Sequence, residues 1–297
     1  MGECGLLKTL SPDNLDTYEN TLRWACHNFD APDILEQLEQ FPSIRFGVEQ
    51  LKLSLKQDNP WLLFPSEFTN GKKGIEINGL IWMGDKSFIN AQIREKLRLE
   101  FKCLKLKIGT LNFEKELDII KSIRDEYTKE DLEIRLDANG AFTVRDAMKK
   151  LEELSIFGIH SLEQPIKQGQ IEAMTEICKK SPIPIALDEE LIGIFSYEKK
   201  RQLLETIKPK YIILKPSLLG GIDSSEEWIY LAEALSIGWW ATSALESNIG
   251  LNAIAQWIFS KNNPVFQGLG TGGLYTNNIP SPLLLKKDKL FFQPRSI

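Results

Sequence analysis

The sequence predicts an α/β chain folded as a (β/α)7β barrel of the TIM type, and three observations carry that prediction. From Ile75 onward, short apolar runs alternate with amphipathic segments of helical period. Eight such runs lie between residues 75 and 269. Successive runs recur at intervals of about one strand plus one helix, the spacing of parallel strands joined by crossover helices. A doubly wound open sheet is the alternative arrangement.

Three helices are expected ahead of the barrel. Residues 11–28 read as a helix opened by Ser11-Pro12-Asp13, a cap followed by an N1 proline. A second begins near Ala31-Pro32-Asp33. A third follows Phe41-Pro42-Ser43, with Ile44, Val48, Leu51 and Leu55 at helical spacing. Residues 58–74 carry Asn59-Pro60, Phe64-Pro65 and Asn70-Gly71, which is loop chemistry. The strands then fall at 75–82, 103–108, 133–137, 159–163, 184–188, 211–215, 239–243 and 266–269. Among the helices between them, 113–127 presents Phe113, Leu117, Ile120, Ile123 and Tyr127 on one face. Thr143-Val144-Arg145-Asp146 opens another with a capping-box pattern, and Gly220-Gly221 precedes a helix at 223–236. Seven helices are clear and an eighth is missing.

Composition narrows the function. The chain has 297 residues, 42% of them hydrophobic, enough apolar matter to bury a core. Its 36 basic and 41 acidic residues give a net charge of −5, without the basic stripe that a nucleic-acid binder or a polybasic membrane anchor needs. No apolar run approaches the roughly 20 residues that span a bilayer, and no signal peptide is visible, so a cytoplasmic enzyme is expected. The cysteines Cys4, Cys26, Cys103 and Cys178 are scattered and read as reduced thiols. With only His27 and His160, a multi-histidine metal site is excluded, and His160 reads as packed or partly solvated. Trp239, Trp240 and Trp257 read as core. Gly268-Leu269-Gly270-Thr271-Gly272-Gly273 fits a dinucleotide fingerprint, but the poor helix former that follows argues against one. A backbone nest for a carboxylate is the better use of these glycines.

The chemistry concentrates at strand ends. In Cys103–Gly109, alternation puts Lys105 and Lys107 on one face and Leu104, Leu106 and Ile108 on the other. Ammonium groups on an inward face need partners, because desolvating them is costly. Arg135 and Asp137 share a face of the next strand. The following strands end at Glu163, Asp188 and Lys215. From Lys107 through Asp137, Glu163 and Asp188 to Lys215 the steps are 30, 26, 25 and 27 residues, each about one βα unit. Five consecutive strands thus place an ionisable group at the mouth where barrel active sites sit. Internal salt bridging explains any one of them; five at corresponding positions point to a site. Three converging carboxylates repel one another, and a hard divalent cation removes the conflict. Oxygen-only ligands favour Mg²⁺ or Mn²⁺. A lysine beside such a cation is driven toward the proton-transfer range. The implied reaction is abstraction of a proton α to a carboxylate, with the charge of the resulting enediolate stabilised and a lysine moving the proton.

These residues resemble the enolase superfamily, which uses a lysine or histidine base with Mg²⁺. Lys105-x-Lys107 and Lys215 are similar to the muconate-lactonising-enzyme subgroup. Within it, several stretches resemble the o-succinylbenzoate synthase family of menaquinone biosynthesis: Gly2-Glu3-Cys4-Gly5, Leu136-Asp137-Ala138-Asn139-Gly140, Leu162-Glu163-Gln164-Pro165, Leu214-Lys215-Pro216-Ser217 and Ser243-Ala244-Leu245-Glu246-Ser247. The resemblance implies that Asp137, Glu163 and Asp188 ligate Mg²⁺, with Mn²⁺ a substitute. Lys107 would remove the α-proton of 2-succinyl-6-hydroxy-2,4-cyclohexadiene-1-carboxylate and protonate the departing hydroxide, a syn dehydration. Lys215 would stabilise the enediolate from the opposite face, and Lys105 would support Lys107 and the substrate carboxylate. Asn139 and Glu189 would orient the metal-binding residues. Arg135, Ser243, Gly270 and Thr271 would hold the substrate carboxylate or succinyl arm.

The same resemblance divides the chain into a partial, N-terminally truncated α+β capping domain (1–74), the barrel (75–273) and a C-terminal segment (274–297) packing back on the cap. It implies a small carboxylate substrate and no nucleic-acid or membrane partner, and leaves the oligomeric state open. Dipeptide or N-acylamino acid epimerases of the subgroup are the alternative. They carry an Asp-x-Asp motif after the eighth strand, where this chain has Gly270-Thr271-Gly272-Gly273. A metal-competent but inactive barrel is the rival of another class.

Overall fold

The computed structural model describes residues 1–294. Three helices come first: α1 (Tyr18–His27), α2 (Ile34–Gln37) and α3 (Pro42–Ser54). Pro42 occupies the first turn of α3, as its sequence position suggested. The first helix starts later than Ser11-Pro12 predicts. Asp13 is buried and accepts from Ser43 Oγ at 2.7 Å, while Ser11 Oγ accepts from Leu7 N at 2.9 Å. One local bond and one tertiary bond take the side chains that were to cap a helix, and the segment folds as turns instead. Ala25, Ile34, Leu38, Ile44 and Val48 form a small apolar core of their own.

The expected first strand divides. β1 (Ile75–Glu76) leaves the barrel, and β2 (Gly79–Ile81) joins it. The barrel continues as α4 (Lys86–Arg98), β3 (Cys103–Lys107), α5 (Phe113–Glu126), β4 (Glu133–Asp137), α6 (Val144–Ser155), β5 (Ser161–Glu163), α7 (Ile171–Lys180), β6 (Ile185–Leu187) and α8 (Tyr197–Ile207). After these come β7 (Tyr211–Leu214), the short α9 (Pro216–Leu219), α10 (Gly221–Ala234), β8 (Gly238–Ala241) and α11 (Asn248–Ser260). Strands β2 to β8 pair in chain order, all parallel. Thr143 caps α6 by accepting from Asp146 N at 3.2 Å, as its capping box predicts.

The eighth strand, expected at 266–269, is reduced to two bridges. Gln267 pairs with Ile77 and Gly268 with Thr242, which brings both edges of the curled sheet to one segment. Gly268 is required by contact: a Cβ there would lie 2.3 Å from Thr242 Oγ1. Gln267 spends its side chain on Ala241 N (2.9 Å) and Val265 O (2.8 Å), which ties the segment to β8 in place of a longer ladder. The glycine-rich run that follows enters a 3-10 turn, Thr271–Leu274, and opens no α-helix.

The C-terminal hairpin, β9 (Leu283–Lys286) and β10 (Lys289–Phe292), pairs with β1 in a separate antiparallel sheet. Phe292 meets Phe68 edge-on at 6.0 Å. The end of the 274–297 segment, residues 295–297, lies outside the described residues. Leu104, Leu106, Ile120, Ile134 and Leu136 belong to one large core between strands and helices, as alternation predicts. Trp239, Trp240 and Trp257 are all buried. No helix of the described residues is long and apolar enough to cross a membrane.

Candidate active site

Register and strand tilt assemble the mouth. Lys107 lies opposite Asp137, and Asp137 opposite Glu163. Glu163 pairs with Ala186, two residues before Asp188, and Ala186 pairs with Tyr211, four before Lys215. Asp188 and Lys215 therefore lie progressively beyond the row running straight across from Glu163. In a barrel the strands tilt, so groups at one height climb the register in this way.

The side chains form one network. Lys105 Nζ lies 2.6 Å from Glu163 Oε2 and 2.9 Å from Asp137 Oδ2. Lys107 Nζ donates to Asp137 Oδ2 at 2.6 Å and to Asn139 Oδ1 at 2.7 Å. Lys215 Nζ donates to Asp188. Asn139 donates through Nδ2 to Glu189 Oε1 at 2.8 Å, so it links Lys107 to Glu189. Asp137, Glu163 and Asp188 are almost completely buried. Among the described residues, no three acidic, histidine or cysteine side chains already surround one point, because the Lys105 and Lys215 ammonium groups are interleaved with the three carboxylates.

The electrostatics follow from that packing. Burial alone would push the Lys105 ammonium down, but Asp137 and Glu163 outweigh it and hold it well above the ordinary lysine range. Lys215 behaves the same way beside Asp188 and Glu163. Burial would raise Asp137, yet Lys105 and Lys107 keep its carboxyl far below the usual range. Glu163 is pushed well above it by burial and then by Asp137. Glu189 is pushed up to about 7, again by burial first and Asp188 second. Three ammonium groups face four carboxyls, so the site has more acid than its own lysines neutralise.

A cavity of about 370 Å³ opens over this network, and Lys105, Lys107, Lys215, Asn139 and Glu189 line it. β3 and β7 stand four positions apart in the ring of seven strands and one bridged segment, so Lys107 and Lys215 face each other across it. Trp82 and Met83 wall one side, with Lys107 Nζ 5.9 Å from the Trp82 ring centroid. Leu7, Thr9 and Leu10 of the N-terminal segment cover another part. Ser243, Gly270 and Thr271 also line the cavity, as the sequence suggested. Ser243, however, donates its hydroxyl proton to Glu246, so it faces the cavity as an acceptor and is no donor to a carboxylate.

Arg135 is the one expected site residue that the structure removes from the mouth. It shares a face with Asp137 but lies one layer deeper, opposite Lys105 and Ser161. There it pairs with Glu133 at 2.6 Å, donates to Phe266 O at 2.9 Å and lies 4.1 Å over the Trp240 ring. Sequence reasoning passed over Asn78 and Thr242. Both line the cavity, and Asn78 Oδ1, Thr242 Oγ1 and Thr271 Oγ1 are buried without a hydrogen-bond partner in the protein. The available signal was a polar residue inside the run Ile77–Ile81, and a threonine beside the chosen serine.

Comparison with known proteins agrees with this geometry. The family described as Enolase C-terminal domain-like matches residues 89–287. An o-succinylbenzoate synthase from Desulfotalea psychrophila is 51% identical over 244 residues, covering 82% of this chain and 66% of that protein. A hydrophobic dipeptide epimerase from Enterococcus faecalis is 30% identical over 170 residues, covering 57% and 47%. The chain thus spans about two thirds and about half of the lengths of these two relatives. Among solved structures, the crystal structure of MenC from Desulfotalea psychrophila superposes with a TM-score of 0.85 at 42% identity, covering 98% of this chain and 90% of that one. The L-Ala-D/L-Glu epimerase from Bacillus subtilis shares the fold, with a TM-score of 0.80 at 18% identity, covering 98% and 84%.

Proposed function

The chain belongs to the Enolase C-terminal domain-like family, a divalent-metal-dependent family, and from that premise we propose that it is an o-succinylbenzoate synthase. The reaction is the syn dehydration of 2-succinyl-6-hydroxy-2,4-cyclohexadiene-1-carboxylate to o-succinylbenzoate, a step of menaquinone biosynthesis carried out in the cytoplasm. The observation that carries the reading is the pair of opposed lysines, Lys107 and Lys215, over one carboxylate-floored cavity.

Asp137, Glu163 and Asp188 fit a hard divalent cation, Mg²⁺ or Mn²⁺. They are oxygen donors, they are buried, and the mutual repulsion of Glu163 with Asp137 and Asp188 is the conflict that such an ion relieves. When bound, the ion supplies positive charge beside the substrate carboxylate, where negative charge grows in the transition state. Lys107, as the free amine, takes the α-proton at Nζ and as the ammonium returns it to the departing hydroxide on the same face, which leaves as water. Lys215 faces the opposite side and stabilises the developing enediolate. Lys105 keeps Asp137 and Glu163 in place. Thr242 and Thr271, whose hydroxyls are unpartnered on the wall, offer two donors to the distal carboxylate of the succinyl arm, while the unpartnered Oδ1 of Asn78 is an acceptor and serves a donor group instead. Trp82, Met83, Leu7 and Leu10 exclude water.

Opposed lysines also suit an epimerase, which needs an acid/base on each face. Among the cavity residues only Glu189 is acidic, and Asn139 already holds it, so an amine substrate finds no dedicated carboxylate. The deciding experiment follows loss of the cyclohexadiene absorbance with and without EDTA. Turnover abolished by EDTA and restored by Mg²⁺ supports the synthase. Absence of turnover, with dipeptide α-proton exchange in D₂O, would replace it with the epimerase; absence of both would leave a metal-binding barrel without these activities.

A further inference from the structure

Gln164 sits between the proposed metal ligands, yet the proposed chemistry gives it no part. It follows Glu163 at the end of β5, is completely buried, and holds its backbone in the left-handed region at φ +41°. A side-chain-bearing residue is strained there, and such strain persists only where the surroundings impose it.

The side chain shows what imposes it. Oε1 accepts from Asp188 N at 3.1 Å and from Glu190 N at 3.3 Å. Nε2 donates to Ile166 O at 3.1 Å and to Glu190 Oε2 at 3.0 Å. Glu190 is buried as well, and its Oε1 accepts from Gly169 N at 2.8 Å. The amide is fully used, and three of its four bonds cross from the end of β5 to the end of β6. At that end Asp188 leaves the sheet with φ −124° and ψ −81°, conformational angles that the strand ladder does not set.

We infer that Gln164 is a positioning residue: its amide clasps the exits of β5 and β6, fixes the span between the Glu163 and Asp188 carboxylates, and thereby sets the affinity of the mouth for a divalent cation. It touches neither ion nor substrate. The inference rests on the reading of Glu163 and Asp188 as metal ligands. The residue type is specific. Glutamate would turn an oxygen toward Glu190 Oε2 and Ile166 O, where a donor is needed. Methionine would leave the amides of Asp188 and Glu190 unpaired in the interior. Groups that orient metal ligands typically change metal affinity by about 10–100-fold when altered.

The test is titration of the intact protein with Mn²⁺, read by electron paramagnetic resonance of the free ion. Circular dichroism and melting without metal serve as the folding check. Wild type, Gln164→Glu, the reversed pair Gln164→Glu with Glu190→Gln, and Asp188→Asn are compared. Mn²⁺ affinity is expected to fall about tenfold in Gln164→Glu. It should recover in part in the reversed pair, where the donor now sits on residue 190 while Ile166 O stays unpaired, a recovery that general loosening of the fold does not produce, and its absence would overturn the clasp. If Gln164→Glu does not fold, Glu190→Gln alone disturbs the one crossing bond made by the Glu190 side chain and should weaken Mn²⁺ binding measurably. Wild-type affinity in whichever clasp variant folds, with binding lost in Asp188→Asn, would overturn the clasp and leave the metal reading intact. Wild-type affinity in Asp188→Asn would overturn the metal reading, and the clasp with it.

Discussion

Two layers of the barrel interior, two residues apart along the same strands, have opposite characters. The upper layer holds Lys107, Asp137, Glu163, Asp188 and Lys215, whose charges converge under an open cavity. The lower layer around Arg135 also holds buried charge, but it lies away from that cavity and reaches solvent only at the opposite end, where His160 and Glu133 are partly exposed. Arg135 lies against Trp240, and His160 stacks on Tyr211 at 5.0 Å. Both layers come from the same alternation of side chains. Depth along the strand takes Arg135 away from the ligand cavity, whereas Lys105, in the same register row, reaches up to Asp137 and Glu163 and so belongs to the mouth.

That contrast can be broken from either side, most severely at the top. Lys107→Ala, and separately Lys215→Ala, should lower kcat by about 10³-fold, the usual share of a positioned proton-transfer or charge-stabilising group; unfolding curves should change little for Lys107→Ala, where Asp137 keeps Lys105, and shift for Lys215→Ala, which leaves Asp188 buried without its partner. Arg135→Met should do the reverse. It removes one partner of a buried pair, so unfolding in denaturant should show a loss of about 2–3 kcal/mol, reduced from the fully buried case because Glu133 is partly solvated. Its kcat should stay within a few-fold of wild type, and a kcat loss like that of Lys107→Ala would end the distinction between layers.

Smaller effects sharpen the boundary. Thr242→Val should raise KM about tenfold, the value of one hydrogen bond to a charged group, and leave Mn²⁺ binding unchanged. In the lower layer, burial holds the His160 imidazole below its ordinary pKa, with Glu133 opposing and Arg135 assisting. The unfolded histidine takes up a proton near its ordinary value of 6.5 while the folded one does not. Stability from this source is therefore present above that pH and is lost as pH falls below it. His160→Phe should remove that part of the acid sensitivity in melting curves recorded from pH 7 to 5, without shifting the pH profile of kcat.

The five mouth residues were legible in sequence because strand alternation and βα spacing are local and regular. The reading failed where a contact distant in sequence decided the outcome. The Ser11 cap lost its helix because Asp13 bonds Ser43, 30 residues away. The first strand divided because its beginning pairs with the C-terminal hairpin. Arg135 was assigned to the substrate because alternation gives a residue's face and says nothing of its depth. Ser243 is the local exception: it was assigned to the substrate, and its hydroxyl is taken by Glu246, only three residues on.

The amino-acid sequence by itself determined the strand order, the inward face of each strand and the residue types at the mouth, because these follow from side-chain periodicity and from the cost of burying unpaired charge. Only the tertiary structure decided which lysine meets which carboxylate, how the register climbs to bring Asp188 and Lys215 level with Glu163, and which polar atoms stay unpartnered on the cavity wall. Those outcomes depend on strand tilt, barrel closure at Gln267 and Gly268, and packing of the N-terminal segment over the mouth. Each of these is a balance of contacts between residues far apart in the chain, and no local pattern encodes such a balance.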